Sequence, residues 1–141
     1  MSSIKVTVIK RCEKADLSAI NLMALDKTHK HLKIKKPVVF FFIDDTQMLE
    51  INQNNLGHDT YTDTITFDYE EDADIEQNEV VVSWERLEEN AITFRTSFTE
   101  EVHRVCIHSL LHLAGQNDKT KDEKEKMRSL EDKFLNLYCS T

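Results

Sequence analysis

The residues of this chain best suited to chemistry lie in the run His108-Ser-Leu-Leu-His112-Leu-Ala-Gly115-Gln-Asn-Asp118. Histidines four residues apart on a helix share one face, about 5–6 Å apart at Cβ, within reach of a single metal ion. Gly115, three residues past His112, is a natural helix stop, because glycine enters the left-handed conformation without a Cβ penalty. The chain can turn back there and offer Asp118 as a third ligand. Three protein ligands with a fourth position open is how a catalytic zinc is held, whereas structural sites close with four. The expectation is a metal-dependent hydrolase with one Zn2+, or another divalent ion, on His108, His112 and Asp118.

Helical geometry sharpens that reading. At about 100° per residue, His108 and His112 share a polar stripe with Glu101 and Arg104, while Val102, Cys106, Ile107, Leu110 and Leu113 occupy much of the other side. Such a helix is buried behind and faces something polar in front. His103 falls away from the stripe and reads as packing or surface. The residue after His108 is Ser109, so the H-E-x-x-H pattern, in which a glutamate serves as general base of a zinc peptidase, is missing. A metallopeptidase is therefore the least favoured hydrolase class. Arg104 is open to two readings, a phosphate contact or a salt bridge to Glu100 or Glu101.

Positioning these residues requires a small mixed domain. The spacing predicts a strand over 4–9, a helix over 15–29, a fully covered apolar strand over 38–43 after Pro37, and a short helix over 46–54 capped by Asp44-Asp45. A third strand follows over 63–69, then an acidic loop, and a fourth strand over 80–83. The remainder reads as helices over 84–93, 99–114 and 122–138, the last opened by a Thr120/Glu123 capping box and carrying a Met127, Leu130, Phe134, Leu137 stripe. Four strands with helices mainly on one face make a single α+β domain over residues 1–141.

Composition narrows the function classes. With 40% hydrophobic and 31% charged residues the 141-residue chain is that of an ordinary globular domain. No segment approaches the roughly 20 apolar residues of a membrane span, and no leader-like apolar run opens the chain, so a cytoplasmic location is expected. Cys12, Cys106 and Cys139 are too few and too scattered for a disulfide framework, and Cys106 reads as a core residue. The net charge of −8 hides an asymmetry: residues 1–36 carry +6 and the rest −14. The positive charge peaks at Lys27–Lys36. That stretch is either a solvated helix end and loop, or a phosphate-tracking patch in which Lys33, Lys35 and Lys36 meet substrate. His58, beside Gly57, is either surface or substrate-facing.

Four segments together resemble the YbeY family, metal-dependent endoribonucleases of bacteria specific for single strands. They are Ile51-Asn52 with Gly57 to Phe67, then Glu79-Val-Val-Val-Ser83, then Glu101 to Gly115 (similar to E-x-x-R-x-x-x-H-G-x-L-H-L-x-G), and the terminal helix with Glu125 and Met127. The resemblance implies a zincin-like α+β fold, activity in ribosomal RNA maturation and ribosome quality control, a single-stranded RNA or ribosome partner, and no DNA or membrane partner. The family's third ligand is a histidine, and Asp118 stands at its position. The carboxylate lowers the formal charge of the metal unit by one, which makes an activated water less acidic than the value of about 7 at strongly activating zinc sites, and its harder oxygen widens the choice of metal. Leu56 stands where the family has an arginine thought to touch phosphate, and Ser109 where it has glycine. A metal-stabilised RNA- or ribosome-binding module with little turnover is the alternative from another class.

Overall fold

A computed structural model of the protein describes residues 4–56 and 62–139, with the side chains of Asn55 and Leu56 outside that description. Gly57 and His58, the latter read above as surface or substrate-facing, lie outside the described residues, as does the side chain of Leu56. Four strands, β1 (Val6–Lys10), β2 (Val38–Ile43), β3 (Thr64–Phe67) and β4 (Asn78–Ser83), form one sheet in the order β1-β2-β4-β3. β1, β2 and β4 are parallel, and β3 runs antiparallel to β4 at the edge. The continuous apolar run of β2 suits its central place, where both faces are covered.

The two faces of β2 feed two cores. Val38, Phe40 and Phe42, with Val80 and Val82 of β4, meet α1 (Leu22–His31), α3 (Trp84–Thr93), α4 (Phe98–Leu113) and α5 (Lys121–Phe134) through Leu25, Leu87, Leu110 and Met127. On the other face Ile43, Ile65 and Val81 pack under Met48 of α2 (Asp45–Leu56). Helices therefore lie mainly on one side, as the α+β reading expects. Alternation along β3 sends Ile65 to the α2 side and leaves Thr64 and Thr66 towards α4, because successive strand side chains point to opposite faces. This gives the sheet a polar edge where the histidine helix crosses it.

Local capping moved several boundaries. The helix expected over 15–29 begins only at Leu22: Asp16 caps a short 3-10 turn over Leu17–Ala19, and Asn21 Oδ1 accepts the Ala24 N–H at 3.1 Å. Short polar side chains that satisfy free backbone donors override apolar periodicity there. The capping box at Thr120 and Glu123 is present as expected. The last helix stops at Phe134 and continues as a π-helical turn over Leu135–Cys139, so Leu137 leaves the apolar stripe and is 51% exposed.

Candidate metal centre

Ser97 caps α4 and the helix ends in a glycine stop. Gly115 has φ +97, its N–H bonds to the His112 carbonyl at 3.0 Å, and the Gln116 N–H reaches back to Leu111 O at 2.9 Å. That pattern is a Schellman motif, which requires the left-handed residue. A Cβ at Gly115 would touch nothing, so it is backbone conformation, not space, that demands glycine. The reversal carries Asp118 back over the last turn of α4.

The result is a convergence of three ligand atoms. His108 Nε2 and His112 Nε2 lie 3.0 Å apart, and Asp118 Oδ2 is 3.3 Å from the first and 3.4 Å from the second. A tetrahedral ion with bonds of about 2.0–2.1 Å separates its ligands by about 3.3 Å. The triangle therefore fits one face of a zinc-type coordination tetrahedron, and these three residues form a group able to hold a metal ion. Beside the triangle an open cleft of about 540 Å³ is lined by His108, His112, Thr64, Thr66 and Asp68.

Behind the triangle lies a carboxylate that the sequence reading missed. Glu131 of α5 is 5% exposed, and its Oε2 accepts from His108 Nδ1 at 2.6 Å. This fixes the tautomer that leaves the Nε2 lone pair for a metal, the usual support for a ligating histidine. The signal was available: Met127, Glu131 and Phe134 share one helix face at i, i+4 and i+7, so an acid sat on an apolar stripe. Burial alone would depress the His108 pKa; the Glu131 bond and the charges of Glu131, Asp118 and Asp63 outweigh it and hold the imidazole above its ordinary value.

Arg104 faces the same helix. Its Nη1 lies 3.1 Å from Glu131 Oε1 and its Nη2 2.7 Å from Asp132 Oδ1. The ion pairs run to α5, not to Glu100 or Glu101 as one reading of the sequence had it. Ser109 is fully buried and shares a 3.3 Å hydrogen bond with Thr64 Oγ1, tying α4 to the edge strand and keeping Ser109 out of the ligand triangle. His103 is buried as packing: its Nδ1 donates to Thr99 O at 2.6 Å and its Nε2 accepts the Asn21 N–H at 2.8 Å.

Lys35 and Lys36, at the end of the basic stretch, are engaged by the acidic loop that follows β3, while Lys30 pairs with Asp26 at 2.8 Å. The backbone N–H groups of Lys35 and Lys36 bond to Glu70, and Lys35 Nζ lies 3.3 Å from Glu71 Oε1. Lys36 Nζ donates to the carbonyls of Tyr69, Asp72 and Ile75, so its ammonium organises the loop from within. Lys33 is exposed, with φ +57. The loop thus brings negative charge to Lys35 and Lys36, in a segment that the sequence left open between a solvated helix end with its loop and a phosphate-tracking patch.

An α+β domain that aims two imidazoles and a carboxylate at one point is a domain with a group able to hold a metal ion. The family model described as Endoribonuclease YbeY matches residues 5–138, and the chain belongs to that family. It is 43% identical over 106 residues to a protein of Flavobacterium psychrophilum named Endoribonuclease YbeY, covering 75% of each chain. A protein of the same name from Christiangramia forsetii is 44% identical over 101 residues, covering 72% of this chain and 70% of that one. The solution structure of TM1509 from Thermotoga maritima superposes with a TM-score of 0.64, 23% identity and 96% coverage of both chains, which shows a shared fold.

Proposed function

We propose that the protein is a metal-dependent endoribonuclease that cuts single-stranded RNA, with ribosomal RNA in maturing or defective ribosomes as its substrate and the cytoplasm as its place of action. The observation that carries this reading is the triangle of His108 Nε2, His112 Nε2 and Asp118 Oδ2, with edges of 3.0 to 3.4 Å beside an open cleft. Relatives named as endoribonucleases support the reaction class. No helix among the described residues is long and apolar enough to cross a membrane.

Zn2+ is the proposed ion. When bound, it supplies Lewis-acid charge to the scissile phosphate and lowers the pKa of the attacking water. The chain's own residues do the rest. Glu131 holds His108 in its ligating tautomer, and Arg104 fixes Glu131 from the other side. Asp118 moderates the charge of the site. Arg104 uses two of its five N–H donors on Glu131 and Asp132, which leaves it a limited share for a phosphate. Lys33 and Lys35, both exposed, are proposed to meet the flanking backbone beyond Asp68, while Lys36 shapes the loop beneath them. An unpaired strand can bend a phosphate into the cleft, whereas a stacked duplex is held too stiff to do so.

The test is cleavage of a single-stranded RNA by the zinc-loaded protein, its metal-free form and His112→Ala. Cleavage by the loaded protein alone supports the reading, and equal cleavage by the metal-free protein overturns it. Leu56 in the family's arginine position, together with the engaged Arg104, favours a second reading, a metal-stabilised RNA-binding module. RNA binding by the loaded protein without cleavage would select it.

A further inference from the structure

A second cavity, of about 160 Å³, shares Asp63, Thr64 and His108 with the open cleft and is lined further by Phe94, Glu101, Arg104 and Arg128 among others. Whole drug-sized ligands need roughly 300–1,000 Å³, so this space takes a part of a ligand, about one planar heterocycle. One wall is an aromatic ring that the fold leaves out of its core: Phe94, at the C-cap of α3, is 65% exposed. The next residue, Arg95, turns the chain with φ +53. The other wall is made of acceptors. Glu101 is 4% exposed, and Asp63 Oδ2 accepts from Asn90 Nδ2 at 3.2 Å. The Arg104 fork is hydrogen-bonded to Glu131 and Asp132, and its charge reaches Glu101 only through space.

Resting on the nuclease reading above, we propose that this cavity is a nucleobase subsite, in which the base next to the scissile phosphate stacks on Phe94 and presents N–H donors to Glu101 and Asp63. Two observations and one general rule converge on that ligand. Three carboxyls, Asp63, Glu101 and Glu131, line the cavity with Arg104 and Arg128, and Arg104 is already held by Glu131 and Asp132, so the lining favours the neutral, donor-bearing part of the nucleotide over its phosphate. Unpaired bases are recognised by stacking on aromatic rings and by hydrogen bonds to their Watson–Crick edges. Burial holds both carboxyls above their ordinary values, and for Glu101 the charge of Asp63 adds to it; donors from a base relieve that desolvation. Guanine offers two adjacent donors, N1–H and the N2 amino group, that match one carboxylate. Cytosine and adenine offer an amino group beside an acceptor. Uracil offers a single N–H between two carbonyls and fits worst. The subsite therefore selects guanine first and uracil last.

The zinc-loaded protein is titrated with 5′-GMP and with 5′-UMP, and the backbone amides of Asp63, Phe94 and Val105 are followed by NMR. Their shared phosphate makes the difference between the two a reading of the base. The expected result is a dissociation constant about five- to a hundredfold lower for GMP, with shifts at these amides. Phe94→Ala, a change at an exposed position, and Glu101→Gln, a near-isosteric one, should each shrink that ratio towards one while zinc content is kept. Equal affinity for GMP and UMP, or a ratio unchanged in both variants, overturns the subsite. A parallel cleavage assay separates the two claims: GMP preference without RNA cleavage leaves the subsite standing and removes the nuclease reading, and cleavage with equal GMP and UMP binding does the reverse.

Discussion

His108 Nδ1 and Glu131 Oε2 are 2.6 Å apart, joining α4 to the last turn of α5 across 23 residues of sequence. The same carboxylate receives Arg104 through its other oxygen at 3.1 Å. One buried acid thus orients the proposed metal ligand His108 and is itself held by a cation. Glu131→Gln keeps a hydrogen-bond acceptor for Nδ1 but removes the charge. Zinc affinity should fall about 10- to 100-fold, measured by competition with a chromogenic chelator. Unchanged affinity would mean that Glu131 serves only packing.

Asp118 sets the charge of the centre. Asp118→His restores a neutral imidazole and makes the metal unit more positive by one. The water activated there becomes more acidic, so the rising limb of the pH–rate profile should move to lower pH by about one unit or more. A profile that stays in place would show that this water does not limit the rate.

His103 links α4 to the N-terminus of α1 through the Asn21 N–H, in a form that needs a neutral Nε2. Burial depresses its pKa below the ordinary 6.5, only partly offset by the Thr99 carbonyl. A depressed folded pKa means that the unfolded chain binds the proton first. The stabilisation is therefore complete above pH 6.5 and is lost as pH falls through the folded value. Urea unfolding at pH 7.5 and pH 5 should show a smaller loss on acidification for His103→Gln than for the parent. Equal losses would contradict the assignment.

Lys36 is predicted to matter for the loop after β3. Lys36→Met should lower stability by about 1.5–3 kcal/mol, the range for hydrogen bonds to a charged group, while changing the RNA dissociation constant by less than twofold. Lys33→Ala should show the opposite pattern, with a shallower dependence of RNA binding on salt. Melting curves beside filter binding at two salt concentrations decide it.

Sequence patterns exposed much of the site because its geometry is local. The i, i+4 histidines, the glycine stop and the returning aspartate all lie within eleven residues, where helix periodicity and one left-handed residue fix relative positions. The four strands were legible through apolar runs and alternation. What escaped were relationships between distant segments. Glu131 was hidden because an acid on an apolar stripe acquires meaning only when a histidine faces it. The Lys35/Lys36 to Glu70/Glu71 pairing was hidden because opposite charges about 35 residues apart are silent until the sheet brings β2 and the end of β3 to the same side. The start of α1 was misread because Asp16 and Asn21 act through single hydrogen bonds that periodicity does not see.

The central claim concerns coordination by His108, His112 and Asp118, and elemental analysis of purified protein tests it most directly. Zinc per chain is measured after dialysis against a weak chelator for the parent and for Asp118→Ala. The prediction is about one zinc per parent chain and far less in the variant, with both proteins folded by circular dichroism. Equal metal content in the two, or a parent that retains none, would contradict it.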